Sequence, residues 1–149
     1  MFTPADLTGL MSAAPRLGVS VFLPTHVRGR EIRQAPIRLK NLLGVAQGGL
    51  LTAGLSRAEA DAWLAPAAAL VHDHAFWQHQ DQGLALFLDG EEARLHQVPF
   101  PLPERVVVGP GFHVRPLLAG WAAEGRFRLY DHCGRGAAVP WLSLLPYRG

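Results

Sequence analysis

Five basic residues stand within thirteen positions: Arg28, Arg30, Arg33, Arg38 and Lys40, with Glu31 as the one acid among them. The stretch RGREIRQAPIRLK therefore carries +4, five basic minus one acidic, while the whole chain carries a formal net charge of +2. Forked guanidinium groups at this density suit phosphate oxygens, which position a protein on a nucleic acid without reading its bases. No aromatic residue interleaves them, so base stacking of the single-strand type is not indicated. Pro36 suits the first turn of a helix, where its missing N–H costs nothing. Arg38 and Lys40 then fall in the opening turns, where the helix dipole disfavours cations. A phosphate at that helix start, facing the Arg side chains, would reverse the penalty. The plainer reading is a solvated loop, since charge runs usually are solvated.

The other chemistry-bearing groups are less specific. His72, His74 and His79 make the densest histidine cluster, HDHAFWQH. Residues two apart on a helix point to nearly opposite sides, and a helical zinc pair needs spacing near four. The single Cys133 is too distant to complete a ligand set. No metal and no cofactor are expected. Gly109-Pro110-Gly111 fits neither a P-loop nor a dinucleotide fingerprint and reads as a turn, with Phe112 packed inward and His113 ambiguous. Glu91-Glu92 reads as solvated hairpin surface. No constellation demands a nucleophile or a general acid and base, so the catalytic set is empty.

These residues need a scaffold, and the totals allow one. A chain of 149 residues with 49% hydrophobic and 17% charged residues is one domain of ordinary size with a real core. Thirteen of its fourteen basic residues are Arg. One cysteine excludes an intramolecular disulfide and suits a reducing interior. The N-terminus shows no secretory pattern, and the uncharged run Asn41–Ser56 is too short and polar to cross a bilayer. The expectation is a soluble cytoplasmic protein with no membrane partner.

The elements follow from periodicity. Thr3 or Asp6 could cap a brief first helix. GVSVFLPT, Gly18 to Thr25, reads as a mostly buried strand. Leu39, Leu42, Leu43, Ala46, Leu50 and Ala53 recur at helical spacing, and Gly48-Gly49 predict a frayed or kinked second half. Ser56 and Glu59 form a capping-box signature for the next helix, whose apolar face runs from Ala60 to His74. Pro66 predicts a kink or division there. Gly54-Leu55 would turn the two into an αα-hairpin. Two strands then meet at Asp89-Gly90, a favoured hairpin pair. RVVVG gives a further strand, Val114 to Ala122 a short helix, and GRFRLY another strand. The sum is an α/β, α+β-like fold: a mostly antiparallel sheet of four or five strands with a long helical hairpin and a short C-terminal helix.

The order of these blocks is similar to a known family. VSVFLPTHVRGREIRQAPIRLKNLL, then GLALFLDG, then VPFPLPERVVVGPGFHVRPLLAGW resemble bacterial proteins related to archaeal and eukaryotic peptide-chain release factors. PIRLKNLL and FHVRPLL are the most specific of these blocks. The resemblance implies an N-terminal release-factor-like domain over residues 1–124. Residues 125–149 would hold the first strand of a middle domain and an irregular tail. The family's stop-codon motif, Asn-Ile-Lys-Ser, is not matched, since Gln34 to Arg38 read QAPIR. Its catalytic Gly-Gly-Gln loop is not matched either; Gln47-Gly48-Gly49 has that composition in another order. The glycine-rich, unpatterned tail reads as the end of a truncated or frame-shifted product.

The resulting expectation is a noncatalytic ribosome- or tRNA-binding module, tied to termination or to rescue of stalled ribosomes. Arg28, Arg30, Arg33, Arg38 and Lys40 would contact RNA phosphates. The alternative is a remnant that self-associates or binds another protein through an apolar end, Trp121 and Trp141 to Leu145.

Overall fold

The computed structural model describes residues 3–13, 15–25 and 34–123. Arg28, Arg30 and Arg33, the GRFRLY stretch, Cys133 and the apolar run Trp141 to Leu145 lie outside them. The described elements are α1 (Pro4–Ala13), β1 (Gly18–Pro24), α2 (Gln34–Thr52), α3 (Arg57–Val71), α4 (His74–Gln78), β2 (Gly83–Leu88), β3 (Ala93–Val98), β4 (Arg105–Gly109) and α5 (Arg115–Ala123). The fold is α+β, with a four-stranded, wholly antiparallel sheet in the order β3-β2-β1-β4.

β1 is central and buried from Gly18 through Leu23. It pairs with β2 from Val19↔Leu88 to Pro24↔Gly83, and with β4 from Gly18↔Gly109 to Phe22↔Arg105. Helices cover both faces, which is why β1 and β2 are almost continuously apolar rather than alternating. Side chains alternate along a strand, so each face collects its own set. Val19, Val21, Leu23, Leu84, Leu86 and Leu88 meet Ala35, Leu39, Leu43, Ala46 and Leu50 of α2 and Ala60, Leu64 and Ala67 of α3. Phe22, Ala85, Phe87 and Val98 meet Leu7 and Leu10 of α1 and Leu117, Leu118 and Trp121 of α5.

The helices start and stop for local reasons. Thr3 caps α1: its Oγ accepts from the Asp6 N–H at 3.2 Å, and the Asp6 carboxylate accepts from the Thr3 N–H at 2.8 Å. That backbone bond is the main reason the Asp6 carboxyl sits below the usual range. Ser56 and Glu59 form the capping box read from the sequence, at 3.1 and 2.8 Å. Between α2 and α3, Gly54 adopts φ 108°. The Gly54 N–H reaches the Leu51 carbonyl at 3.0 Å and the Leu55 N–H reaches Leu50 at 3.1 Å, a Schellman ending that closes the helical hairpin.

Two expectations change. α2 runs through Gly48 and Gly49 to Thr52 without a break. Gly49 is there because the helix lies close to β4: a Cβ on it would stand 2.8 Å from the Val108 Cγ2, whereas one on Gly48 would meet nothing within 4 Å. α3 likewise runs through Pro66, which is exposed, so water can satisfy the carbonyl that the proline leaves unpaired. The division falls later, at His72-Asp73, where the Asp73 carboxylate accepts from the Phe76 N–H at 3.0 Å and starts α4. His74 therefore opens a new helix and is exposed. Trp77 is buried instead, donating from Nε1 to the Leu70 carbonyl at 2.7 Å.

The β2–β3 connection spans Asp89 to Glu92, a four-residue turn rather than a two-residue one. Asp89 holds it by accepting from the Glu91 and Glu92 N–H groups at 2.9 and 2.7 Å. Trp121, expected at an apolar association surface, is 3% exposed and belongs to the second core. The exposed large apolar residues among those described are Ile37, Val45 and Leu51 on α2 and Leu95 on β3. No described helix is long and apolar enough to cross a membrane.

Candidate nucleic-acid interface

Of the five basic residues singled out in the sequence, the structure describes Arg38 and Lys40. α2 begins at Gln34, two residues before Pro36, and has no acidic residue in its first turn. Arg38 lies half-buried on the side of α2 that faces β4. Its Nε pairs with Glu104 Oε1 at 3.2 Å and its Nη2 donates to Gln34 Oε1 at 3.1 Å. Its Nη1 is buried with no hydrogen-bond partner among the described residues. Lys40 is exposed and makes no ion pair among the described residues. Two residues apart on a helix, the two cations diverge, so the structure does not bring them to one point.

One end of the sheet carries further charge outside the basic stretch. β1 leaves the sheet there at Pro24. Thr25 is anchored by its N–H to the Gln82 carbonyl at 2.9 Å and by its hydroxyl to the Asp81 carbonyl at 2.6 Å. The chain enters residues 26–33 from this anchored point and returns as α2. β4 starts at the same end, where Arg105 is opposite Phe22 and exposed. Glu104 turns to Arg38, which leaves Arg105 without an ion pair among the described residues.

His113 lies nearby on the connection from β4 to α5. Its N–H donates to Ser20 Oγ at 2.9 Å, and its ring meets Phe22 edge-on at 6.2 Å. Burial holds its imidazole below the usual histidine range, and Arg105 and Arg115 push it the same way. His96 on β3 is also held down by burial, against a smaller opposing pull from Asp6. Sequence reasoning left Ser20, Arg105 and Arg115 aside. The signal for Ser20 was available: it is the one hydroxyl inside VSVFL, and a buried hydroxyl needs a partner.

The remaining sequence candidates separate. His72 caps the end of α3, His74 opens α4 and His79 caps its end, and all three are exposed. Among the described residues no group of three or more His, Cys, Asp or Glu side chains could hold a metal ion. Gln47 donates to Asp61 across the helical hairpin, and Gly49 packs on Val108, so both residues have structural work in α2. Glu91 and Glu92 are exposed at the β2–β3 turn. Arg94 reaches back to Asp89 at 3.3 Å and Glu92 at 3.4 Å and lies 5.4 Å over the Phe112 ring. Burial alone would raise the Asp89 carboxyl, but its two backbone hydrogen bonds and Arg94 bring it below the usual range.

No protein-family model matches the sequence, and no curated protein matches it.

Proposed function

We propose that the chain is a noncatalytic RNA-binding module of the release-factor-like kind, which holds ribosomal or transfer RNA by its phosphates. Arg28, Arg30, Arg33 and Lys40 make the contacts. Arg38 takes part while its Nε remains tied to Glu104. The observation that carries this reading is the +4 charge of residues 28–40 in a chain of net +2, leading into a helix whose first turn holds no acid. Such a helix start welcomes an anion. The resemblance of the PIRLKNLL and FHVRPLL blocks to release-factor relatives supplies the direction toward the ribosome.

The test is co-sedimentation with ribosomes across a salt series. The comparison variant changes Arg28, Arg30, Arg33 and Lys40 to Glu and keeps Arg38, because a carboxylate at 38 would face Glu104 and disturb the fold. Binding should weaken steeply with salt and be lost in the variant, and each single Arg→Ala change should lower the salt slope by about one. Binding that ignores both salt and these residues would overturn the proposal. Concentration-dependent self-association without RNA affinity would favour the interaction-remnant alternative instead.

A further inference from the structure

The exposed face of α2 has a spacing that is the same from either end. Three of the four exposed large apolar residues among those described stand on this helix: Ile37, Val45 and Leu51, at 61%, 64% and 40%. Scattered singly, such residues need no explanation, but these three share one helix with a glycine in their midst. Ile37, Gly44 and Leu51 are successively seven residues apart, about two turns, so they line one strip with Gly44 at its middle. Val45 flanks that middle. A Cβ on Gly44 would meet nothing within 4 Å, so no described neighbour calls for a glycine there, although glycine is costly in a helix interior. Charge is arranged around the same strip. Lys40 is exposed and makes no ion pair among the described residues. Gln47, seven residues on, shares its side of α2 and donates to Asp61 of α3. Asp61 is also exposed and without an ion pair among the described residues. Ala58 and Ala65, one turn to either side of it on α3, are exposed and short, so neither hinders an approach to its carboxylate.

We propose that this strip of α2 is the interface of a two-fold dimer, its occupant a second copy of this chain in antiparallel orientation with Gly44 on the axis. Residues equidistant from Gly44 then oppose one another across the contact. Ile37 meets Leu51 of the second copy, and the symmetry makes that contact twice. The two Gly44 positions lie against each other, where the missing side chains let the helices approach closely. Lys40 comes opposite Gly48 of the second copy, beside its Gln47 and therefore its Asp61. An unpaired ammonium and an unpaired carboxylate thus meet at each end of the strip, which is the charge complementarity that fixes partner and register. The strip suits a copy of itself because both its apolar spacing and its charges are matched by the same rotation.

The test is sedimentation velocity of the whole chain over a concentration series, without RNA, so that it is decided separately from the RNA reading. The wild type should pass from monomer to dimer as the concentration rises. Gly44→Gln should stay monomeric with an unchanged far-UV spectrum, because its side chain has open space in the monomer and gains helix propensity. Lys40→Glu and Asp61→Lys should each weaken the dimer about tenfold, and the double variant should restore it. In a Cys133→Ser background, Gly44→Cys should oxidise to a linked dimer, since only a residue on the two-fold axis meets its own copy, whereas Thr52→Cys on the same helix should not. A chain that is monomeric at every concentration would overturn the proposal. So would a dimer that survives Gly44→Gln, or Thr52→Cys linking as readily as Gly44→Cys.

Discussion

The two faces of the sheet are built from opposite chemistry. Toward α2 and α3 the strands present a mainly aliphatic set, Val19, Val21, Leu23, Leu84, Leu86, Leu88, Val106 and Val108, with Gln97 of β3 opposite Leu84 at the edge. Toward α1 and α5 they present Ser20, Phe22, Ala85, Phe87, His96 and Arg105, with Phe112 and His113 laid across them. The first face is chiefly packing surface. The second holds rings in edge contact, Phe22 on Phe87 at 5.7 Å and Phe87 on Phe112 at 5.3 Å, and keeps titratable groups at its margins. A single strand register serves both, because neighbouring residues of β1 point in opposite directions. The aliphatic packing and the aromatic and titratable groups of the strands are thus separated by the thickness of one sheet.

That separation can be broken most forcefully at Phe87, which is fully buried and touches Phe22, Phe112 and His96. Phe87→Ala should cost about 3–5 kcal/mol of unfolding free energy in denaturant titrations. It should also alter the His113 ring resonances, whereas Leu39→Ala on the other face, with a cost of about 2–5 kcal/mol, should leave them in place. If Leu39→Ala disturbs His113 as much as Phe87→Ala does, the two faces are not separate.

A matched pair of glycines sharpens the packing half of the comparison. Gly49→Ala would force a methyl against Val108 at 2.8 Å and should destabilise by about 1–3 kcal/mol. Gly48→Ala, one residue earlier with open space around it, should stabilise by about 0.5–1 kcal/mol through helix propensity alone. Thermal unfolding of the two single variants checks the opposite signs. Equal effects would mean that α2 does not approach β4 as closely as described.

The smallest effect is in the pH profile, and it belongs to the second face. Burial lowers His96 and His113 relative to an unfolded chain, so the unfolded state takes up more protons as the pH falls below about 6.5. Stability from this source is complete above that pH and declines as the solution is acidified. The melting temperature should drop between pH 7.5 and 5.5, and the double variant His96→Gln, His113→Gln should flatten the drop. Asp6 and Asp89, whose carboxyls sit low, add a separate loss only in the more acidic carboxylate range. A wild-type profile that is flat from pH 7.5 to 5.5 would remove the histidines from the account.

Much of the fold was legible wherever the signal is local. The apolar run GLALFL, the Asp-Gly turn pair and the mixed run ARLHQV are enough for a hairpin, and Ser56 with Glu59 is enough for a helix start, because both depend on groups a few residues away. The same holds for Gly54 at the end of α2. The sequence also showed on its own where positive charge accumulates, since formal charge needs no coordinates.

What depended on distant neighbours was not legible. The two glycines in α2 resemble a weakness until Val108 comes to lie beneath one of them. Pro66 resembles a break until α3 packs along α2 through Ala60, Leu64 and Ala67 and leaves the proline exposed to water. Trp121 reads as an exposed anchor until Phe22, Phe87 and Phe100 close a core around α5. The five basic residues look like one set by charge, yet Arg38 is drawn aside by Glu104, sixty-six positions further along the chain. Arg105, which sequence reasoning passed over, gains its place beside His113 only from the register of β4 on β1. Local hydrogen-bonding and propensity fix which elements form. Only the assembled sheet decides which charges are neutralised and which are left exposed, because ion pairing depends on a few ångströms in space and not on separation along the chain.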